Sequence, residues 1–179
     1  MTTADYGASL QFDYVTTFSL LRGVKWERAQ VAIRKEIAES RKLLLTAKAK
    51  QLLEIRQRLA LLQQKNNLDH ARLTEGKEAY HITATPIATL QRQTPEVDKL
   101  LTILKVPFES RSYWMCGPTF RDALAFYNEK HQLVAVLNVC FGCEQMQNES
   151  GVEIQADTTV YPALHQWFSA LGHKIDDNY

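Results

Sequence analysis

Cysteine is scarce in this chain of 179 residues: there are three, and all lie between positions 116 and 143. An odd number leaves one thiol over, so a disulfide framework is not expected. Glycine and proline are few as well, and neither occurs between Gly23 and Gly76. That gap excludes a turn-rich all-β arrangement there and leaves room for helix. No apolar run approaches the ~18 residues that would signal a membrane-spanning helix. The first residues carry Asp5 and Asp13 in place of a basic and then apolar succession, so no secretory signal is expected. A cytoplasmic protein with reduced thiols is the expectation. Gly-rich phosphate loops, His-Glu-x-x-His zinc helices, Gly-x-Ser-x-Gly elbows and helix-turn-helix signatures are missing. No catalytic residue is assigned.

What is present is an ordinary globular composition with an uneven charge distribution. Residues 25–75 hold twelve Lys/Arg against six Asp/Glu, a balance of +6; the remainder holds nine against fourteen, a balance of −5. A basic segment joined to an acidic body raises binding to nucleic acid or an anionic surface as one reading. A solvated helix face is the simpler one.

The basic segment is rich in strong helix formers, and its apolar residues fall mainly at steps of three, four and seven. They are Trp26, Ile33, Ile37, Leu44, Leu52, Ile55, Leu59 and Leu62, with Lys48 interrupting the stripe. One continuous helix over 25–62 would be roughly 55 Å long at about 1.5 Å per residue, longer than the remaining domain is wide. Its apolar face must therefore meet a second copy, another protein, or itself folded back as a helical hairpin. Trp26, Ile33, Ile37, Leu44, Ile55 and Leu59 are the candidate interface.

Residues 1–23 read as an N-terminal arm with one strand or short helix, 24–75 as the basic helical segment, and 76–179 as an α+β domain. Within the last, 78–85 (EAYHITAT) is expected to form a strand. A short helix is expected from Pro95, with Thr94 as cap, Val97, Leu100, Leu101 and Leu104 inward, and Pro107 as stop. Two strand-like runs around 120–128 and 132–141 flank a turn at Glu129–Lys130. A further strand is expected at 151–156 (GVEIQA). A C-terminal helix follows, capped near Thr158 or Thr159, with Leu164, Trp167, Phe168 and Leu171 inward and Gly172 just past its end. The expected fold class is α+β, with a long N-terminal helix or helical hairpin, a small antiparallel sheet and a C-terminal helix.

The cysteines sit on the hairpin. With the turn at 129–130, paired residues have numbers summing to about 260, which sets Phe120 opposite Cys140 and Cys116 opposite Cys143 or Glu144. Cys116, Cys140 and Cys143 are thus expected at one end of the hairpin. Three thiolates would suit zinc with a histidine as fourth ligand, drawn from His81, His165 or His173; His131 lies at the wrong end. A Cys-x-x-Cys redox pair is a second use, and simple apolar packing a third. Arg121 and Asp122 are neighbours on a strand, so one of them must point inward and find a partner. Tyr113, Trp114 and Tyr127 are read as packing, with a binding face as the alternative.

The run from Cys116 through Arg121 and Asp122, followed by Cys140-Phe141-Gly142-Cys143, resembles a family of small bacterial proteins of unassigned activity. Their pattern is a cysteine, Pro-Arg-His or Pro-Arg-Asp, two strands, and Ile-Cys-Phe-x-Cys. Pro118 departs from it in not adjoining Arg121. The resemblance covers about 30 residues and implies a shared hairpin and thiol cluster, with no reaction attached.

Together these features point to a non-enzymatic protein-interaction protein, such as an immunity or inhibitor protein that neutralises a toxin partner. The alternative is a thiol-redox or zinc protein built on Cys116, Cys140 and Cys143. Nucleic-acid binding through the basic helix ranks third. No cofactor is expected under the first reading, and zinc under the second. The expected partner is another protein or a second copy.

Overall fold

The computed structural model describes residues 1–66, 71–74, 80–111 and 117–175. It is an α+β arrangement with a five-stranded antiparallel sheet, as the sequence pattern implies. The sheet order is β2-β1-β3-β4-β5, where β1 is Tyr14–Ser19, β2 Thr85–Gln91, β3 Asp122–Tyr127, β4 Leu133–Cys140 and β5 Gln145–Asn148.

The first 23 residues are not an arm. They supply helix α1 (Thr3–Ser9), opened by a Thr2/Asp5 capping box, and β1, which lies between β2 and β3. A run with four consecutive buried positions, as in β1, belongs to an inner strand covered on both faces. The strand expected at 78–85 is displaced to Thr85–Gln91. Residues 78 and 79 lie outside the described set, and Tyr80 makes only an isolated bridge to Thr74. Pro86 sits inside β2, which is tolerated because β2 is an edge strand and the ladder is irregular between Thr17 and Phe18. The strand expected at 151–156 is likewise displaced, to β5. Within 151–156, Glu153 and Gln155 form single bridges, to Gln147 and to Thr2.

Helix α4 (Pro95–Leu104) keeps its anticipated face: Val97, Leu100, Leu101 and Leu104 are buried. The Thr94 hydroxyl donates to Gln91 O and makes no cap bond. In α5 (Val160–Ala170), Leu164, Trp167 and Phe168 are buried, and Gly172 adopts φ +97, the left-handed conformation that a residue just past a helix end requires. The Asp157 carboxylate precedes α5 and accepts from Thr159 N and Oγ1 on one oxygen and from Glu109 N and Ser110 N on the other.

Both faces of the sheet are covered. Val15, Leu124, Phe126, Leu137 and Val139 pack under α1, α4 and α5, and Trp167 Nε1 ties α5 to α4 by donating to Glu96 O at 2.8 Å. The alternate residues Phe18, Ala123, Ala125, Tyr127 and Val136 pack with Leu20, Leu21, Leu73, Ala84 and Trp26.

The basic segment is not one long helix. It is a hairpin of α2 (Gly23–Thr46) and α3 (Ala49–Asn66). The chain turns at Ala47, whose φ −71 and ψ 140 are extended, next to the Lys48 that interrupts the apolar stripe. Arg58 reaches back across the turn to Glu36 at 3.2 Å. Of the expected interface residues, Ile33, Ile37, Leu44, Ile55 and Leu59 line the inner seam between α2 and α3, with Leu52 and Leu62, while Trp26 packs at the root of α2 against the sheet. Only Ile37 and Leu62 of these are fully buried. No described helix is long and apolar enough to cross a membrane.

Candidate functional site: the cysteine hairpin, a buried carboxylate hub and the helical hairpin

The β3–β4 ladder runs in the register that the turn dictates, shifted by one. Asp122 pairs with Val139 and Leu124 with Leu137, and an irregularity between Phe126 and Tyr127 absorbs the shift. His131, at φ 59, completes the turn, and Asn128 Oδ1 accepts from Lys130 N and Gln132 N. At the other end Phe120, Cys140 and Cys143 pack into one small apolar cluster, as the arithmetic anticipates for Phe120 and Cys140. Cys116, Tyr113 and Trp114 lie outside the described residues.

The two cysteines of the Cys-x-x-Cys pair differ in state. Cys140 is free and buried, and burial pushes its thiol up from the ordinary value, against the pull of nearby N–H groups and of Arg121. Cys143 is disulfide-bonded, and not to Cys140. The expectation of reduced thiols is corrected at Cys143. Among the described residues no group of three or more His, Cys, Asp or Glu is placed to hold a metal. Of the three histidines considered as ligands, His81 Nδ1 is 2.7 Å from Thr83 Oγ1 and His173 is bound to Asp122, while His165 packs edge-on to Phe141, inside the Cys-x-x-Cys segment.

Of the charged neighbours, Asp122 is the inward one, 1% exposed, while Arg121 is half-buried. Asp122 is the hub of a network that the sequence does not announce. Arg22 Nη1 donates to both carboxylate oxygens at 2.8 and 2.9 Å and to Arg121 O at 3.2 Å. His173 Nδ1 lies 2.7 Å from Asp122 Oδ1, and its Nε2 lies 2.8 Å from Thr17 Oγ1. The partners assign the proton to Nδ1, so that Thr17 O–H donates to Nε2 while accepting from Ala88 N. Every polar atom of the His–Thr pair is then satisfied.

Hydroxyl, imidazole and carboxylate in this order resemble a nucleophile relay, but Thr17 is completely buried. Neither the ~690 Å³ cleft around Phe12, Arg92 and Lys130 nor the ~420 Å³ groove between α2 and Thr83 is lined by any of the three residues. The network is a cross-link. It fastens the start of α2 (Arg22) and the chain beyond α5 (His173) to one carboxylate on β3. Arg22 and His173 lie roughly 100 and 50 residues from Asp122, and no local spacing relates them. The inward member of the 121–122 pair was the one available signal.

The remaining feature is the outer surface of the helical hairpin. Val24, Val31, Leu43 and Leu45 on α2 and Leu53 and Leu61 on α3 are all more than half exposed, Leu45 reaching 86%. The periodicity reading missed them because it followed the stronger inner stripe.

Compared with family models, with curated proteins and with solved structures, the chain matches none.

Proposed function

We propose that the protein is a non-enzymatic interaction protein, of the inhibitor or immunity type, and that the α2–α3 hairpin is the element that contacts its partner. The observation that carries this reading is the number of aliphatic side chains more than half exposed on a two-helix projection whose own seam is only half-buried. Large aliphatic side chains concentrated on the surface of one element point to a contact site there, and helix faces are a common form of it. The cross-linked network around Asp122 supports the reading by holding the root of α2 to the sheet.

The test is a photo-crosslinking side chain placed singly at Val31, Leu45 or Leu53 in the full chain, expressed in its own cells, with Thr102 and Val134 on the body as controls. The expected result is one common protein adduct from the three hairpin positions, absent from the controls and lost on adding Leu61→Asp. Equal adducts at hairpin and body, or none at the hairpin, contradict the reading.

The second reading is a thiol or zinc protein using Cys116, Cys140 and Cys143. What favours it is the packing of Cys140 against Cys143 at the end of the hairpin. Because zinc takes thiolates, this reading requires the Cys143 disulfide to be reduced; metal analysis of the reduced protein, with and without Cys140→Ser, tests it, and stoichiometric zinc lost in the variant supports it.

A further inference from the structure

The outer face of α2 carries a second periodic stripe, on the side away from α3. Val24, Val31, Ala38 and Leu45 follow one another at steps of seven, and each is exposed. At 3.6 residues per turn this column lies across the helix from Ile33, Ile37 and Leu44, which face the seam. It runs for about three heptads, or roughly 32 Å. Cations flank it on both sides. Arg28, Lys35 and Lys42 stand at the step of four after Val24, Val31 and Ala38, and Arg34 and Arg41 at the step of three after Val31 and Ala38, where Glu27 follows Val24. All five are exposed; of the acidic residues on the same helix, Glu27 and Glu39 are exposed and Glu36, partly buried, pairs with Arg58 of α3.

An apolar column bordered mainly by cations, five against the single Glu27 on its flanks, is the surface a coiled-coil helix presents to a partner of the opposite sign. A second copy would bring the same five cations against these five, a repulsive pairing. A nucleic acid would meet the cations but not the aliphatic column, which offers no aromatic face for bases to stack on. Resting on the hairpin reading above, we propose that the outer face of α2 docks an acidic amphipathic helix of another protein. That helix sets its apolar residues against Val24, Val31, Ala38 and Leu45 and its carboxylates against Arg28, Arg34, Lys35, Arg41 and Lys42.

The experiment measures binding of the full chain to a labelled three-heptad peptide with Leu and Ile at its core positions and Glu on both flanks. An otherwise identical peptide with Lys on both flanks is the control. The Glu peptide is expected to bind and the Lys peptide not. Lys35→Glu with Lys42→Glu should weaken Glu-peptide binding about tenfold, the effect of turning two flanking attractions into repulsions, and should gain binding to the Lys peptide. Val31→Asp with Leu45→Asp should abolish binding to both. All four positions are exposed, and an unchanged circular dichroism spectrum checks the fold of each variant. No binding of the Glu peptide, or equal binding of both peptides, overturns the proposal. So does tighter binding of a DNA duplex or of phosphatidylserine vesicles with the same sensitivity to charge reversal. Self-association abolished by Leu45→Asp would assign the face to a second copy. Crosslinked adducts on the hairpin without Glu-peptide binding would overturn the acidic-helix assignment alone and leave the hairpin reading standing.

Discussion

Asp122 takes a carboxylate out of water and keeps it there with one guanidinium and one imidazole. Breaking such a group by removing one side is costly because the other charge stays buried. Asp122→Ala is expected to destabilise the fold by about 3–5 kcal/mol, read as the shift in a denaturant midpoint at constant slope. Thr17→Val, which removes two neutral hydrogen bonds at the far end, to His173 Nε2 and from Ala88 N, should cost less, about 1–3 kcal/mol. Asp157 offers a pH test. The Thr159 hydroxyl, then the N–H groups of Thr159, Ser110 and Glu109, hold its carboxyl well below the ordinary value of 3.8. A lowered folded-state value stabilises the fold at pH above that ordinary value, and the gain is lost as pH falls through the lower one. Asp157→Asn should therefore be less stable than the parent at pH 7, with the gap closing below about pH 4. At Cys140, burial keeps the thiol protonated. Alkylation without reductant in the unfolded state should label Cys140 and leave Cys143 unlabelled, as mapped by peptide mass. These residue roles were half legible in the chain. That one of Arg121 and Asp122 must face inward follows from strand alternation, but Arg22, Thr17 and His173 are brought in by topology alone.

The elements were legible where one period dominates. Helices α4 and α5 announce themselves through Pro in the first turn and a single apolar face, and they appear where expected, although neither Thr94 nor Thr159 makes a side-chain cap bond. The β3–β4 hairpin was legible because its turn is polar and short. Strand β1 was half legible: one strand or short helix was expected within residues 1–23, but its place inside the sheet was not, because its Tyr-Val-Thr-Thr-Phe-Ser run lacks alternation, an inner strand being covered on both faces. Strand β2 hides behind Pro86, which only an edge position permits. The long basic segment left a choice between one helix and two, and Lys48 in the apolar stripe was the sign of the turn. A proline substitution separates the cases. Ala49 opens α3, so Ala49→Pro should leave helix content unchanged, because proline suits a first helical position. In a continuous helix the same change would cost about 3 kcal/mol and reduce the helical signal.

At the scale of the whole molecule, the protein combines a two-faced, fully packed body with a projection that is incompletely packed. The body is the sheet with α1, α4 and α5 on one side and the root of the hairpin on the other. The projection joins two helices through a seam in which most apolar residues remain partly exposed, and its outer face repeats an apolar column bordered by cations. The asymmetry of charge between residues 25–75 and the rest, visible in the sequence as +6 against −5, becomes a spatial one: basic hairpin, acidic body. A segment with few buried contacts opens at lower free energy than the core it is attached to, and a partner that covers it stabilises it. Site-resolved hydrogen exchange of the full chain, alone and with the Glu-flanked peptide, tests this most directly. The account predicts that α2 and α3 exchange much faster than β3, β4 and α5 in the free protein and slow markedly on peptide binding, with the body unchanged. Hairpin amides as protected as those of the sheet in the free protein, or unaffected by the peptide, would contradict it.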